Sequence, residues 1–292
     1  MTNDFRLDPR AIRRAFDRAS ATFDAASGVH AEIRNRLLER LDVVRLEPAV
    51  VLDLGCATGH VSRALRRRYR KAQVVALDFS TRMLAQARHQ QPFWHPFERV
   101  AGDARALPLR TASVDLVASN LMLQWCNEPD AVLAEVRRVL KVPGLFTFTT
   151  LGPDTLKELR AAWREIDEAP HVHAFIDMHD LGDALMRAGF AEPVMDTERL
   201  TITYRSLDAL LQELKASGSH NALATRRRGL TTRAQLTKLQ RAAQARMRDD
   251  VVPVSIEVVY GHAWAGEPRR AREAGGEVRI PLTALKGGRP RA

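Results

Sequence analysis

At 292 residues, with 45% hydrophobic but only 6% aromatic residues, the chain can bury a large aliphatic core as one domain or as one domain with a smaller companion. No run of about 18 uninterrupted apolar residues is present, "MTNDFRLDPRAIRRAF" lacks the apolar stretch of a secretory signal, and the two distant cysteines, Cys56 and Cys126, form neither a CxxC motif nor a disulfide framework. These features speak against a membrane-spanning or secreted protein and for a cytoplasmic one. The net charge of +10 is spread over "RALRRRYRK" (63–71), "ATRRRG" (224–229) and the tail, and by itself selects no partner among nucleic acid, anionic membrane and acidic protein.

Residues 9–45 read as helical, with Ile12, Ala15, Phe16, Ala19 and Phe23 at helical spacing and the same pattern in "AEIRNRLLERLDVV". The rhythm changes at "VVLDLG", a continuous apolar run of the kind buried on both faces of a parallel sheet. "HVSRALRRRY" then predicts a helix, "QVVALDF" a strand, and "TRMLAQARHQ" a helix with Ser80 placed to cap it. "FERVAGD" is a weaker strand, "SVDLVASN" a strong one, and "PDAVLAEVRRVLK" a helix; Pro143-Gly144 turns the chain before the strand "LFTFTT". Strands alternating with helices imply right-handed crossovers and a mostly parallel sheet covered on both faces.

Beyond residue 151 the pattern loosens. "PDTLKELRAAWREIDEA" and "HDLGDALMRAGF" are amphipathic helices, the second ended by Gly189. "LTITYRS" is a strand and "LDALLQELKASG" a helix; Thr232 and Gln235 have capping-box spacing ahead of another helix. "PVSIEVVYGHAW" alternates like a strand at or near a sheet edge. Residues 266–292, rich in Gly, Pro and Arg, are expected to be a basic disordered tail.

Chemistry concentrates at "VLDLGCATG" (51–59), where a strand meets a glycine loop and then a helix. Such a unit brings backbone N–H groups and a helix N-terminus up to a ligand at the carboxyl edge of a sheet. Gly55 and Gly59 are four apart, not in the G-x-G-x-x-G of dinucleotide binders. Asp78 ends the next strand, where an acid accepts ribose hydroxyls. Asp53 precedes the loop itself; a carboxylate there repels pyrophosphate and suits a cationic ligand. S-adenosylmethionine has a ribose, an adenine, an ammonium and a sulfonium, and no phosphate. Asp103 in "AGDARALPL" is placed for the adenine amine, and Asn120 in "VASNLMLQW" ends the fourth strand at the same edge. The cofactor-binding candidates are Asp53, Gly55, Cys56, Ala57, Gly59, Asp78, Phe79, Asp103, Ala104 and Asn120.

This set resembles the class I S-adenosylmethionine-dependent methyltransferases over about residues 45–150. The resemblance implies a Rossmann-like α/β fold with a mostly parallel seven-stranded sheet. Ala57 stands where many of these enzymes carry a glycine, and binding is expected to survive if its φ is negative. A narrower similarity extends from about residue 9 to 264. "AIRRAFDRASATFDAAS", "SNLMLQWCNEPDAVLAEVRRVLKVPG", "FTFTTLGPDTLKELRAAWREIDEAPHVHAF" and "LKASGSHNALATRRRGLTTRAQLTKLQRA" resemble the malonyl-acyl carrier protein O-methyltransferases of biotin synthesis. On this reading residues 1–45 are a helical cap, 46–152 the cofactor-binding core, and 153–265 the rest of the same domain with its substrate-lid helices.

The resemblance implies methylation of the free carboxylate of malonyl on carrier protein. That carboxylate is its own nucleophile, so no acid–base residue is expected and catalysis rests on alignment and exclusion of water. Candidates for orienting the substrate are Gln124, Trp125, Lys215 and Phe23; Phe23 takes the place of a tyrosine common in related enzymes. Arg226, Arg227 and Arg228 are candidates for docking the acidic carrier protein with its malonyl-phosphopantetheine. His171, His173 and His179 lack the companions of a metal site. The chain is expected to act as a monomer, with no membrane or nucleic acid as partner. The competing readings are a methyltransferase for another small molecule, a nucleic-acid methyltransferase and a non-methylating relative. "SNLMLQW" lacks the Asn-Pro-Pro-aromatic motif of base-amine methyltransferases.

Overall fold

A computed structural model describes residues 5–227, 229 and 231–266. The expected tail, apart from Gly266, and the docking candidate Arg228 lie outside these residues. Helices α1 (Pro9–Ala19) and α2 (Gly28–Glu39) precede an alternation of β1 (Val50–Leu54), α3 (His60–Arg68), β2 (Gln73–Asp78), α4 (Thr81–Ala87), β3 (Glu98–Ala101), β4 (Val114–Asn120), α5 (Pro129–Val139) and β5 (Leu140–Leu151). There follow α6 (Lys157–Arg164), α7 (Met178–Arg187), β6 (Phe190–Tyr204), α8 (Leu207–Ala216), α9 (Arg233–Gln244) and β7 (Val252–Ala265).

The strands form one seven-stranded sheet in the order β3-β2-β1-β4-β5-β7-β6. β1 through β5 pair in parallel, and β7 runs antiparallel to both β5 and β6. Alternate residues of β1 serve opposite faces of the sheet. Leu52 and Leu54 pack with Val132, Leu133 and Val136 of α5, while Val51 packs with Leu65 of α3 and Leu84 of α4. Burying both faces is what demands the unbroken apolar run. The strand order reverses between β1 and β4, which opens a crevice at their carboxyl ends.

One local expectation changes. β5 starts at Leu140 and runs straight through Pro143-Gly144, its pairing with β4 irregular between Val114 and Leu116. The turn residues are absorbed as a kink within an extended segment. The late strand β7 lies near the sheet edge as expected, one place inside it, and β6 is the edge strand. Three stop and start signals act as expected: Ser80 Oγ accepts from the Met83 N–H at 3.1 Å, Thr232 and Gln235 close a capping box on α9, and Gly189 takes φ +86° just past α7.

The segments outside the sheet join above the crevice. Asp8 N–H donates to Ala222 O at 2.7 Å and Ala224 N–H to Arg6 O at 2.7 Å, tying the start of the chain to the segment between α8 and α9. A Cβ on Gly218 would sit 3.1 Å from the Phe16 ring and 3.2 Å from Ala19 Cβ, so α1 packs directly on the end of α8. α6, α8, α9 and the far ends of β6 and β7 share a second core built on Leu159, Leu210, Leu239 and Val254.

Candidate active site

The loop after β1 is shaped by the strand beside it. The N–H groups of Gly55 and Cys56 both donate to Leu77 O, at 2.8 and 3.0 Å. Gly55 has φ +77°, and a Cβ there would lie 2.4 Å from Met122 Cγ, so its missing side chain makes room for the turn after β4. Ala57 has φ +45°, not the negative value expected, and its N–H donates to Asp78 Oδ2 at 2.9 Å. An alanine is held left-handed at a cost of about 1–2 kcal/mol, because this contact fixes the loop. Gly59, with φ +86°, opens α3; a Cβ would meet Ala87 Cβ at 3.0 Å and the Phe97 ring at 3.1 Å. Gly59 therefore serves the packing of α3 and does not line the crevice.

The acids divide into two kinds. Asp78 lines the crevice and is almost fully buried. Burial pushes its carboxyl up to about 6, against the N–H donors of Ser80, Ala57 and Phe79, which favour the charge. Asp53 corrects the expectation of a direct ligand contact. It is 0% exposed and lies behind the loop, because β1 carries its side chain into the body of the sheet. Its Oδ2 accepts from Ser62 Oγ, its Oδ1 is sealed with no partner, and burial pushes the carboxyl up to about 7. Asp103 lies at the exposed rim, where Arg105 bonds both its oxygens and lowers its pKa. Asn120 Oδ1 accepts from Thr149 Oγ1 at 2.8 Å, and its Nδ2 donates to His30 O at 3.4 Å.

Two cavities meet here. The first, of about 330 Å³, is lined by Gly55, Cys56, Ala57, Asp78, Phe79, Asp103, Ala104 and Asn120, with Phe16, Phe23 and Arg34 from the N-terminal helical region. That region is fastened over the loop: Asp24 accepts from Thr58 Oγ1 at 2.6 Å and lies 3.2 Å from His60 Nε2, while Asp17 accepts from Ser80 Oγ at 2.6 Å. The second cavity, of about 640 Å³, lies under α6, α8 and α9 and is lined by Gln124, Lys215, Arg226 and Arg227 among others. His30, Leu121 and Trp125 line both. Leu121 has φ +54°, an uncommon conformation for a branched residue, held by its N–H donating to Thr149 O and Oγ1, both at 3.0 Å. Trp125 stands edge-on to Phe16 and His173, each 5.2 Å away.

The basic candidates differ in what they are free to do. Arg226 is committed within the fold, donating to Leu223 O at 2.8 Å and lying 3.6 Å from Asp8. Arg227 is exposed at the rim of the second cavity. Lys215, in the last turn of α8, has no ion-pair partner among the described residues. The histidines are structural: His171 stacks 3.6 Å from Trp163 and bonds Asp167 at 2.7 Å, His173 Nε2 accepts from Ala222 N–H at 2.9 Å, and His179 is an exposed partner of Asp177. Burial holds the Cys56 thiol well above its ordinary pKa and pushes Cys126 to about 12, so neither is a ready nucleophile. His30, Arg34 and Leu121 are site residues that the sequence did not single out. Their helix and strand were legible, but which turn of each overhangs the crevice was not.

Residues 52–148 match the family model described as "Methyltransferase domain". A malonyl-[acyl-carrier protein] O-methyltransferase of Laribacter hongkongensis is 48% identical over 95% of this chain and 97% of its own. A protein of the same name from Methylovorus is 49% identical over 93% of this chain and 94% of its own. Among solved structures, a putative methyltransferase from Bacillus halodurans superposes with a TM-score of 0.58 at 19% identity, covering 79% of this chain and 97% of that one. Phosphoethanolamine N-methyltransferase 2 of Haemonchus contortus, solved with S-adenosyl-L-methionine, gives 0.53 at 20% identity, covering 86% of this chain and 57% of that one. At such identity these two show the shared fold alone.

Proposed function

Because the chain belongs to the malonyl-[acyl-carrier protein] O-methyltransferase family, we infer that it transfers a methyl group from S-adenosylmethionine to the free carboxylate of a malonyl thioester on carrier protein. The observation that carries this reading is the pair of cavities with one common wall at His30, Leu121 and Trp125. A methyl group passed across that wall has a donor side and an acceptor side, each with its own chemistry.

The donor side fits a cationic nucleoside. Asp78 lies at the tip of β2, where ribose hydroxyls are met; residues Gly55 to Thr58 of the loop line the crevice, and Asp103 stands at the rim. Asp53 leaves a sealed, unpaired oxygen behind the loop, a charge that a bound cation compensates. Arg34 is the partly buried cation on hand for the donor's own carboxylate. When bound, the donor supplies an electrophilic methyl carbon and a neutral leaving sulfide.

The acceptor side asks little beyond placement. A malonyl carboxylate is ionised near neutral pH, so the residues of the wall need only hold its oxygen in line and keep water away. Trp125 and Leu121 supply apolar surface for that, with Phe23 facing them from the donor side only, and Gln124, its Nε2 donating to Leu121 O at 2.8 Å, stiffens the turn that carries Leu121 and Trp125. Lys215 and Arg227 offer positive charge within the second cavity, which suits the acidic carrier and its phosphate-bearing arm. The product has lost a charge that an apolar elongation pocket would bury at a cost of several kcal/mol, which fits a methyl ester that primes pimeloyl and biotin synthesis. Malonyl-CoA has the same reacting end and is expected to be a weaker acceptor. Expression in a biotin-requiring strain that lacks malonyl methylation tests the reading. Growth without biotin is expected for the chain and not for Asp78→Ala; failure of the unaltered, folded chain to support growth contradicts it.

A further inference from the structure

We propose that His30 is a positioning residue, presenting a neutral imidazole N–H to the acceptor's carboxylate where the two cavities meet. This rests on the functional reading above and adds a residue that neither sequence motif nor resemblance pointed to. His30 lies on the face of α2 that also carries Ile33 and Leu37, both fully buried. A histidine in such a row is ordinarily satisfied by a partner in the core, and this one is not. Its Nδ1 is sealed from solvent with no hydrogen-bond partner. Its Nε2 has no partner among the described residues either, but is not sealed, and the ring lines both cavities.

That asymmetry assigns the proton. An N–H locked away without an acceptor is the rarer kind of orphan, so the hydrogen belongs on Nε2, on the open side. The ring is held by the edge of Phe23, 5.4 Å between centroids, and its backbone carbonyl by Asn120 Nδ2. Burial depresses its pKa to about 4, so it stays uncharged through the neutral range. Lys215 and Arg227 line only the second cavity, and Arg34 only the first. The common wall itself therefore carries no full positive charge. A cation there would oppose the approaching sulfonium and damp the carboxylate's nucleophilicity. A neutral donor to the non-reacting oxygen fixes orientation without either penalty.

Steady-state kinetics at saturating methyl donor compare His30→Phe, which keeps a ring but no donor, with His30→Gln, which keeps an N–H of similar reach. His30→Phe is expected to lower kcat/KM for malonyl-carrier protein by about 10–100-fold, the loss of one hydrogen bond to a charged group, with most of the loss in kcat. His30→Gln is expected to recover most of it. Equal impairment of both variants, or no impairment of His30→Phe, overturns the proposal. A second measurement reads the unaltered chain and uses a variant for assignment alone. With ring-¹⁵N histidine and S-adenosylhomocysteine bound, malonyl-pantetheine is expected to move the His30 Nε2 resonance, assigned by its loss in His30→Gln; an unmoved resonance under saturation also overturns the proposal. An unaltered chain that methylates no malonyl thioester overturns the functional reading and this inference together, whereas normal turnover with an indifferent His30→Phe overturns the inference alone.

Discussion

Ala57 carries the left-handed turn of the cofactor loop on a residue with a Cβ, at φ +45°. Replacing it by glycine relieves that strain and adds some freedom to the unfolded chain. Ala57→Gly is accordingly expected to stabilise the protein by up to about 1 kcal/mol, read as a higher Tm, with donor affinity retained. Asp53 makes the opposite kind of demand. Its carboxyl is raised from an ordinary 3.8 to about 7 by burial, so between those values the folded state holds a proton that the unfolded state has lost. Its contribution is thus fully present below about 4 and is lost as pH rises through 7. Asp53→Asn removes this slope. In thermal unfolding of the ligand-free proteins, the variant's Tm relative to the parent is expected to climb from pH 5 to pH 8; a constant difference would show that Asp53 does not titrate in this range. That a carboxylate belongs at this point was legible in "VLDLG". That it is sealed behind the loop and does not line the crevice was not, because strand alternation places a side chain on a face without saying which face the crevice opens upon.

Among the elements, Ser80 does two jobs with one hydroxyl: it caps α4 through the Met83 N–H and donates to Asp17 of α1. Ser80→Ala loses both, and is expected to cost about 1–2 kcal/mol of stability. It is also expected to speed amide exchange in α1 more than in α5, which lies outside this linkage; equal protection in α1 would contradict the link. The cap itself was readable from the sequence, as were the capping box of α9 and the stop at Gly189, since each depends on residues within one turn. The partner Asp17 was not, being 63 positions away. The same limit explains β7. Alternation gave the strand and a place at or near the edge but not which of the two, because an antiparallel strand one place in and an edge strand share a period of two, and only the pairing with β5 and β6 separates them.

For the whole molecule, the +10 charge acquires direction only once the fold gathers it. Of the arginines at 226–228 that are described, Arg226 is tied to Asp8 and Leu223, leaving Arg227 exposed at the acceptor cavity. Arg227→Glu is expected to raise KM for malonyl-carrier protein roughly three- to tenfold and flatten its salt dependence, as rim charges do. Malonyl-pantetheine, which has the same carboxylate but neither carrier protein nor phosphate, should be little affected, and an unchanged KM for the carrier-linked substrate would remove Arg227 from docking. The sheet and its donor crevice were legible because glycines and acids recur at fixed distances from strand ends. The acceptor cavity was not, since it is assembled from α6, α8, α9 and the 121–125 turn, whose packing no local pattern records. The central claim is that a methyl group crosses from the β1–β4 crevice to a free carboxylate in that second cavity. Mass spectrometry of carrier protein incubated with the purified chain and methyl-deuterated S-adenosylmethionine tests it directly. A single labelled methyl, labile to base, is predicted on malonyl-carrier protein and none on acetyl-carrier protein, which has no free carboxylate; no label on the malonyl form, or equal label on both, would contradict the account.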